Sequence, residues 1–281
     1  MIEPEQSGRT FLEDVSAAHD RPEPFHVWWL GQSGFLVQWE GRHLLFDPYL
    51  SDSLTEKYAG TGKPHVRMTE RVIAPDRLDF IDVITSTHNH TDHLDRETLV
   101  PLLRANEDVQ LVIPEANRAF VADRLGYDPR FPVGLVDGAS ATVAGFLFTA
   151  LPAAHEELET DARGRHTHLG YVVSFGPWTV YHSGDTVRYD GMAERLSTFG
   201  IDVCILPING RDPLRGVAGN LSGHEAARLA RDAGVRAAIP CHYEMFEFNT
   251  ASPEPFFEHA HRIGQRSIRL RAGGRWSCDL A

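Results

Sequence analysis

Short, nearly unbroken apolar runs separated by turn residues dominate this chain, and their spacing changes along it. From Phe25, the runs HVWWL, GFLVQW and RHLLFD are β-rich and divided by Gly31–Gly34 and Glu40–Gly41. Those are hairpin signals, so an antiparallel meander is expected first. Asp47–Pro48 ends the third run. Tyr49 to Asp79 carries glycine, proline and charge without clean periodicity, and a connection that long reads as a functional flap beside a site. Strands and helices then alternate. FIDVITST is a strand, Arg96–Arg104 has helical spacing behind Asp95 as its cap, VQLVIP is a strand, and Glu115–Leu125 is a helix closed by Gly126. The strand-like runs VGLV, ATVAGFLFTAL, LGYVVSF and WTVYH follow. The last third predicts helix Gly191–Phe199, strand IDVCILPI, helix Gly223–Ala233, strand VRAAIPCHY, helix Glu254–Ile263 and a final strand near RSIRLR.

Hairpins feeding βα units in both halves predict an α/β protein with two sheets face to face and helices outside. A faint internal echo supports this: IDVITSTHNH from Ile81 and IDVCILPING from Ile201 each run an apolar strand into a polar loop. Residues 1–24 are polar, with a short amphipathic stretch at Phe11–Ala18, and read as an N-terminal arm. Residues 25–281 read as one domain.

Composition narrows the partners. The chain of 281 residues has 27 basic and 39 acidic side chains, a formal charge of −12. Nucleic-acid affinity rests on Lys and Arg at phosphates, so this balance argues against such a partner. Only Lys57 and Lys63 are lysines, and no lysine-rich patch exists. No run approaches the ~20 apolar residues of a membrane span. The N-terminus lacks a basic-then-apolar leader pattern, so the cytoplasm is the expected compartment. Cys204, Cys241 and Cys278 are too few and too widely spaced for a disulfide framework or a zinc ribbon. Cys204 and Cys241 sit in apolar runs and read as buried, inert thiols.

The strongest chemical signal is TSTHNHTDHLD, which puts His88, His90, Asp92 and His93 within six positions after an apolar strand. Ligands in open α/β sheets bind at such strand ends. Imidazole is the commonest metal ligand, and His88 and His90 share a face while Asp92 and His93, beyond the turn, can serve a second ion. One loop cannot close two metal sites. His155 in LPAAHEE, Asp185 in YHSGDT and His242 in PCHYEMF each end another strand-like run and are the expected partners.

These residues resemble the metallo-β-lactamase superfamily. Across about residues 25–275 the chain looks like its UlaG-type, L-ascorbate-6-phosphate lactonase-like branch, through WWLGQSGFLVQ, THNHTDHLD, PAAHEE, YHSGDT, LPING and PCHYEMF. The resemblance implies an αββα four-layer sandwich and a dinuclear site. His88, His90 and His155 would hold one metal, Asp92, His93 and His242 the other, and Asp185 would bridge them. Departures from neighbouring branches are informative. PAAHEE differs from the PGH-type ligand of acyl-homoserine-lactone hydrolases, the stretch between Asp185 and His242 leaves no room for a nuclease insertion, and no cysteine falls at a ligand position.

Two divalent ions about 3.5–4 Å apart can hold a bridging hydroxide, and metal binding lowers a water pKa from about 16 to about 7. Asp92 and Asp185 are the expected catalytic carboxylates. A sulfur-free set suits zinc, manganese or iron, with availability often deciding, and two divalent ions, zinc or manganese, are the expected cofactors. Asp47, in LLFDPYL, is either an acceptor for a ligand histidine N–H or a plain turn residue. Asn209, Arg211, Arg215, Asn220 and His224 lie in a Gly-rich loop on the site side of its strand; either Arg211 or Arg215 pairs with a substrate phosphate or carboxylate, or Asn220–Ser222 simply caps the helix that begins near Gly223. His182 is expected to face the sheet interior, and His166 and His168 the surface or a strand edge. The expected activity is metal-dependent hydrolysis of a small, anionic ester or lactone. A phosphodiesterase is the alternative within enzymes, and a non-catalytic metal-binding regulator the alternative outside them. The partner is a small molecule rather than a membrane, and a homo-oligomer is left open.

Overall fold

The computed structural model describes residues 1–19 and 24–280. The arm contributes helix α1 (Gly8–His19), and the junction at residues 20–23 lies outside the described residues. The meander forms as its turns predict: β1 (His26–Gly31), β2 (Gly34–Trp39) and β3 (Arg42–Phe46) pair antiparallel. After the short helix α2 (Ser53–Lys57) come β4 (Val83–Thr85), α3 (Arg96–Ala105), β5 (Gln110–Pro114), α4 (Arg118–Leu125) and β6 (Val133–Leu135). The second half opens with the hairpins β7 (Ser140–Val143), β8 (Phe146–Pro152), β9 (Leu169–Phe175) and β10 (Trp178–His182). It continues through α5 (Met192–Ser197), β11 (Val203–Pro207), α6 (Gly223–Asp232), β12 (Ala237–Cys241), α7 (Glu254–Arg262) and β13 (Arg275–Ser277).

Seven strands form one sheet in the order β13-β1-β2-β3-β4-β5-β6, and six form the other in the order β12-β11-β10-β9-β8-β7. The inner strands look continuously apolar because both their faces are buried. In β1, Val27 and Trp29 point into the core between the sheets, while Trp28 and Leu30 point outward to Phe11 and Val15 of α1. β2 and β3 repeat the division, with Phe35, Val37, Leu44 and Phe46 inward and Leu36 and Leu45 outward. Leu99, Leu102, Val121 and Leu125 of α3 and α4 complete the outer layer on that side, and Ala226, Ala230 and Phe256 of α6 and α7 cover the other sheet. The result is the four-layer αββα sandwich. No helix among the described residues is long and apolar enough to cross a membrane.

Two local expectations change. RSIRLR is not a ladder strand: Ile268 and Leu270 are buried, but the backbone makes only an isolated bridge from Ser267 to Ala238, and the last strand is Arg275–Ser277, paired with β1. Asp95 does sit at the start of α3, yet its carboxylate caps no helix N–H. It accepts instead from the hydroxyls of Ser51, Ser53 and Thr98, tying the flap to the helix.

Candidate metal centre

β8, β10 and β12 run the same way in their sheet, and β3 and β4 in theirs, so the loops after them open at one end of the sandwich. The loop after β4 turns tightly, because the N–H groups of His93 and Leu94 both donate to the His90 carbonyl, at 3.1 and 2.8 Å. This brings all four of its ligand-type side chains to one side. The loops carrying His155 and Asp185 are stitched together where Val187 N–H donates to the Ala154 carbonyl, at 2.7 Å. Gly184, with φ +61°, lets the chain turn into Asp185, and a Cβ there would lie 2.6 Å from Thr87 Oγ1.

The seven expected residues come together in two groups. His88, His90 and His155 form one, and Asp92, His93, Asp185 and His242 the other, with ligand atoms within 4.8 Å of one another in each. Asp185 touches both groups. Its Oδ1 lies 3.3 Å from His93 Nε2, and its Oδ2 lies 3.2 Å from His242 Nε2 and 3.9 Å from His155 Nε2.

Asp47 resolves in favour of the acceptor reading. It is fully buried with φ +36°, and His93 Nδ1–H donates to its Oδ2 at 2.7 Å, which aims His93 Nε2 at the cluster. Thr85 and Thr87 hydroxyls donate to the same carboxylate. His155 is aimed likewise by donation from Nδ1 to the Gly219 carbonyl, at 3.0 Å. Outer partners of this kind fix tautomer and ring orientation.

Electrostatics separate the groups. Burial disfavours a charged His93, but the neighbouring Asp185 and Asp92 outweigh it and hold its pKa well above the ordinary value. For His242 the same contest, chiefly burial against Asp185, ends with the pKa raised to about 9. Burial also opposes ionisation of Asp185, yet His242 and His93 keep its pKa well below the usual carboxylate range. His88 and His90 go the other way: burial lowers both. His88 Nε2, His93 Nε2 and Asp185 Oδ1 are buried without a hydrogen-bond partner. Such orphaned atoms are costly unless something pairs with them, and imidazoles converging beside ionised carboxylates are the donor set a divalent cation takes, His93 and His242 giving up their protons when it binds. The residues fit a metal.

Two neighbours carry no obvious sequence signal. Gln32, in the β1–β2 turn, is buried with φ +50°, and its Nε2–H donates to Asp92 Oδ2 at 2.8 Å. His168, expected at the surface or a strand edge, is buried instead, its ring stacked 4.8 Å from His88. A polar residue before a strand shows its burial only once the opposite sheet is in place. His182 faces the interior as expected, stacked on Phe46.

The cluster floors a cleft of about 460 Å³. The flap supplies Lys57, Tyr58, Lys63 and His65 to its walls, and the loop after β11 supplies Val217 and Ala218. The polar residues singled out in that loop lie elsewhere. Asn220 donates to Asn209 Oδ1 at 3.0 Å, Asn209 to Asn249 Oδ1 at 2.9 Å, and Arg215 to the same Asn249 oxygen at 2.8 Å, a network that reaches the cleft wall only through Asn249. Arg211 pairs with Glu225 on α6, and His224 is exposed on that helix against His259 of α7. Glu225 offsets the charge of Arg211, Arg215 spends Nη1 and Nη2 on Asn249 and the Asn209 carbonyl, and neither guanidinium lines the cleft.

Comparison with known proteins agrees with this geometry. A "UPF0173 metal-dependent hydrolase" of Thermofilum pendens is 31% identical over 239 residues, covering 82% of this chain and 88% of its own. Igni18, a metallo hydrolase of Ignicoccus hospitalis, shares the fold with a TM-score of 0.67 at 19% identity, over 92% of this chain and 99% of its own. An isothiocyanate hydrolase from Delia radicum gut bacteria does so with a TM-score of 0.70 at 19% identity, over 89% and 98%. The β-lactamase superfamily domain matches residues 42–243, the stretch that holds Asp47 and all seven clustered residues. The chain therefore belongs to the β-lactamase superfamily, and within it to the UPF0173 metal-dependent hydrolases.

Proposed function

We propose that the protein hydrolyses a small, anionic ester or lactone with two divalent ions, zinc or manganese, and that its nearest functional kin are the UlaG-type lactonases. The observation that supports two ions is the position of Asp185, whose two oxygens reach His93 on one side and His242 and His155 on the other. His88, His90 and His155 would hold one ion and Asp92, His93 and His242 the other, with Asp185 between them. When bound, such ions supply Lewis acidity and a nucleophile drawn from water at neutral pH.

The chain's own residues do the positioning. Asp92, held by Gln32, would orient the attacking water as well as ligate. Asp47 and the Gly219 carbonyl keep His93 and His155 from rotating. The flap and the loop at Val217–Ala218 wall the cleft, whose volume suits a small molecule.

The test is a panel of lactones, esters, thioesters and phosphodiesters on metal-loaded protein, with metal content measured in parallel. Two ions per chain and turnover of an ester or lactone, abolished by chelation and restored by metal, is the expected result. Preference for phosphodiesters would replace the reading with its enzymatic alternative. One ion or none, with no turnover, would leave a metal-binding regulator.

A further inference from the structure

The chain has two lysines in 281 residues, and both line the metal cleft. Lys57 ends α2, and Lys63 follows six residues later in the flap. Arg124 of α4 faces them across the same cleft. The carboxylates lining it, among the described residues, are Asp92 and Asp185, both members of the metal cluster. This distribution is the reverse of the whole molecule, where acidic side chains outnumber basic ones 39 to 27.

The three cations are also held by neutral oxygens. Lys57 Nζ lies 3.4 Å from Thr91 Oγ1, Lys63 Nζ donates to the Gly216 carbonyl, and Arg124 Nη1 donates to the carbonyls of Asn89 and Leu94 at 2.8 and 3.1 Å. A carbonyl or hydroxyl orients a cation without neutralising it, so the positive potential stays available to a ligand. Arg124 spends its contacts shaping the metal loop. The lysines, on a flap and with fewer partners, are the groups free to close on an anion. Beside them Tyr58 stacks on His65 with ring centroids 4.5 Å apart, and Phe246 meets His65 at 5.1 Å, which gives the cleft an aromatic wall.

We infer that Lys57 and Lys63 form an anion-recognition site in the flap, and that the molecule it selects is an amphipathic oxyanion, with a carboxylate or phosphate on the lysines and a flat apolar body against Tyr58 and Phe246. The inference rests on the hydrolytic reading only for the claim that this molecule is the substrate. Lys63 has a second consequence. Its present partner is the Gly216 carbonyl of the opposite loop, so the lysine bridges the cleft mouth, and an arriving anion competes for the bridge.

Calorimetry on metal-loaded protein tests the site with phenyl phosphate and benzoate as anionic probes and benzyl alcohol as the neutral one. The Lys57→Ala/Lys63→Ala variant should bind at least one anion about tenfold more weakly than wild type, with unchanged metal content and unchanged affinity for benzyl alcohol. Lys57→Arg/Lys63→Arg should recover most of the loss. The anion that loses more identifies carboxylate or phosphate as the preferred group. Equal anion binding by wild type and the alanine variant would overturn the site, because the metals alone would then hold the anion. An equal loss for the neutral probe would also overturn it, since the lysines would then only hold the flap in shape. Lysine-dependent binding by a protein that cleaves no ester or lactone upholds the site and sinks the hydrolytic reading instead.

Discussion

On the outer face of the first sheet, His19 of α1 stacks on His43 of β3 with ring centroids 5.8 Å apart and planes 9° from parallel. At the open end of the sandwich, His88, His90, His93, His155 and His242 crowd together in the same way. Both places are cavities of similar size, about 430 and 460 Å³. Their electrostatics are opposite. Burial and the neighbouring His19 push His43 down to about 4, whereas the carboxylates around His242 raise it to about 9. Burial alone expels positive charge, and only ionised carboxylates reverse the sign. The outer cavity has Asp82, but its carboxylate is engaged by the His43 backbone N–H at 2.7 Å and stays 3.9 Å from the ring. A cluster of histidines is therefore weak grounds for a metal. Histidines with buried carboxylates and orphaned nitrogens are strong grounds.

The sharpest way to break this contrast is to take charge out of the metal centre. Asp185→Asn should lower activity by more than about 100-fold and reduce metal content, while Asp47→Asn, which only loosens His93, should cost about 10–100-fold. Equal rates at equal metal occupancy would deny Asp185 its position between the two groups.

The outer cavity gives the next largest effect, seen in stability. The unfolded chain protonates a histidine near 6.5, and folded His43 does so only near 4. The unfolded state thus binds the extra proton first, and stability falls as the pH drops between those values, by on the order of 3 kcal/mol. His19, Arg77, Asp79 and Asp82 face the same cavity, so the His43 contribution must be isolated. Denaturant titrations of wild type and His43→Gln between pH 7 and 4 do so, and parallel curves for the two would remove His43 as the source.

A smaller effect is expected from Gln32→Leu, which deletes the donor to Asp92: about a tenfold fall in kcat with little change in KM. A change confined to KM would move Gln32 from orienting Asp92 to binding substrate. Smallest of all, Arg211→Ala/Arg215→Ala should shift KM by less than about threefold for charged and neutral substrates alike, because these side chains are engaged by Glu225 and Asn249. A rise for the anionic substrate alone would return them to the cleft.

The contrast also explains what could be read from the residues in order. Local pattern carries the meander, the βα units and the H-x-H-x-D-H loop, because strand burial and turn residues are local properties. The other members of the cluster, His155, Asp185 and His242, are legible because each ends an apolar run. Choices of partner in three dimensions were not. Asp95 has the chemistry of a cap but meets three hydroxyls, and Arg211 has the chemistry of an anion clamp but meets Glu225. Gln32 looked like a hairpin residue, since nothing in Gly31–Gly34 shows that a non-glycine takes φ +50°. The scarcity of lysine was visible from the start; that both copies share one cleft required the fold.

The clustered side chains come from both sheets: His88 to His93 follow a strand of the first, and His155, Asp185 and His242 follow strands of the second. An ion held among them acts as a clasp between the two leaves of the sandwich, joining parts of the chain far apart in sequence. Ions that bind only the closed leaves draw the folding equilibrium toward them by mass action, by about 2.7 kcal/mol when free metal stands at 100 times its dissociation constant. Chelation should then lower Tm as well as turnover, and the midpoint should climb with free metal concentration. Supply of the ion would then set the stability of the fold along with the rate of the reaction.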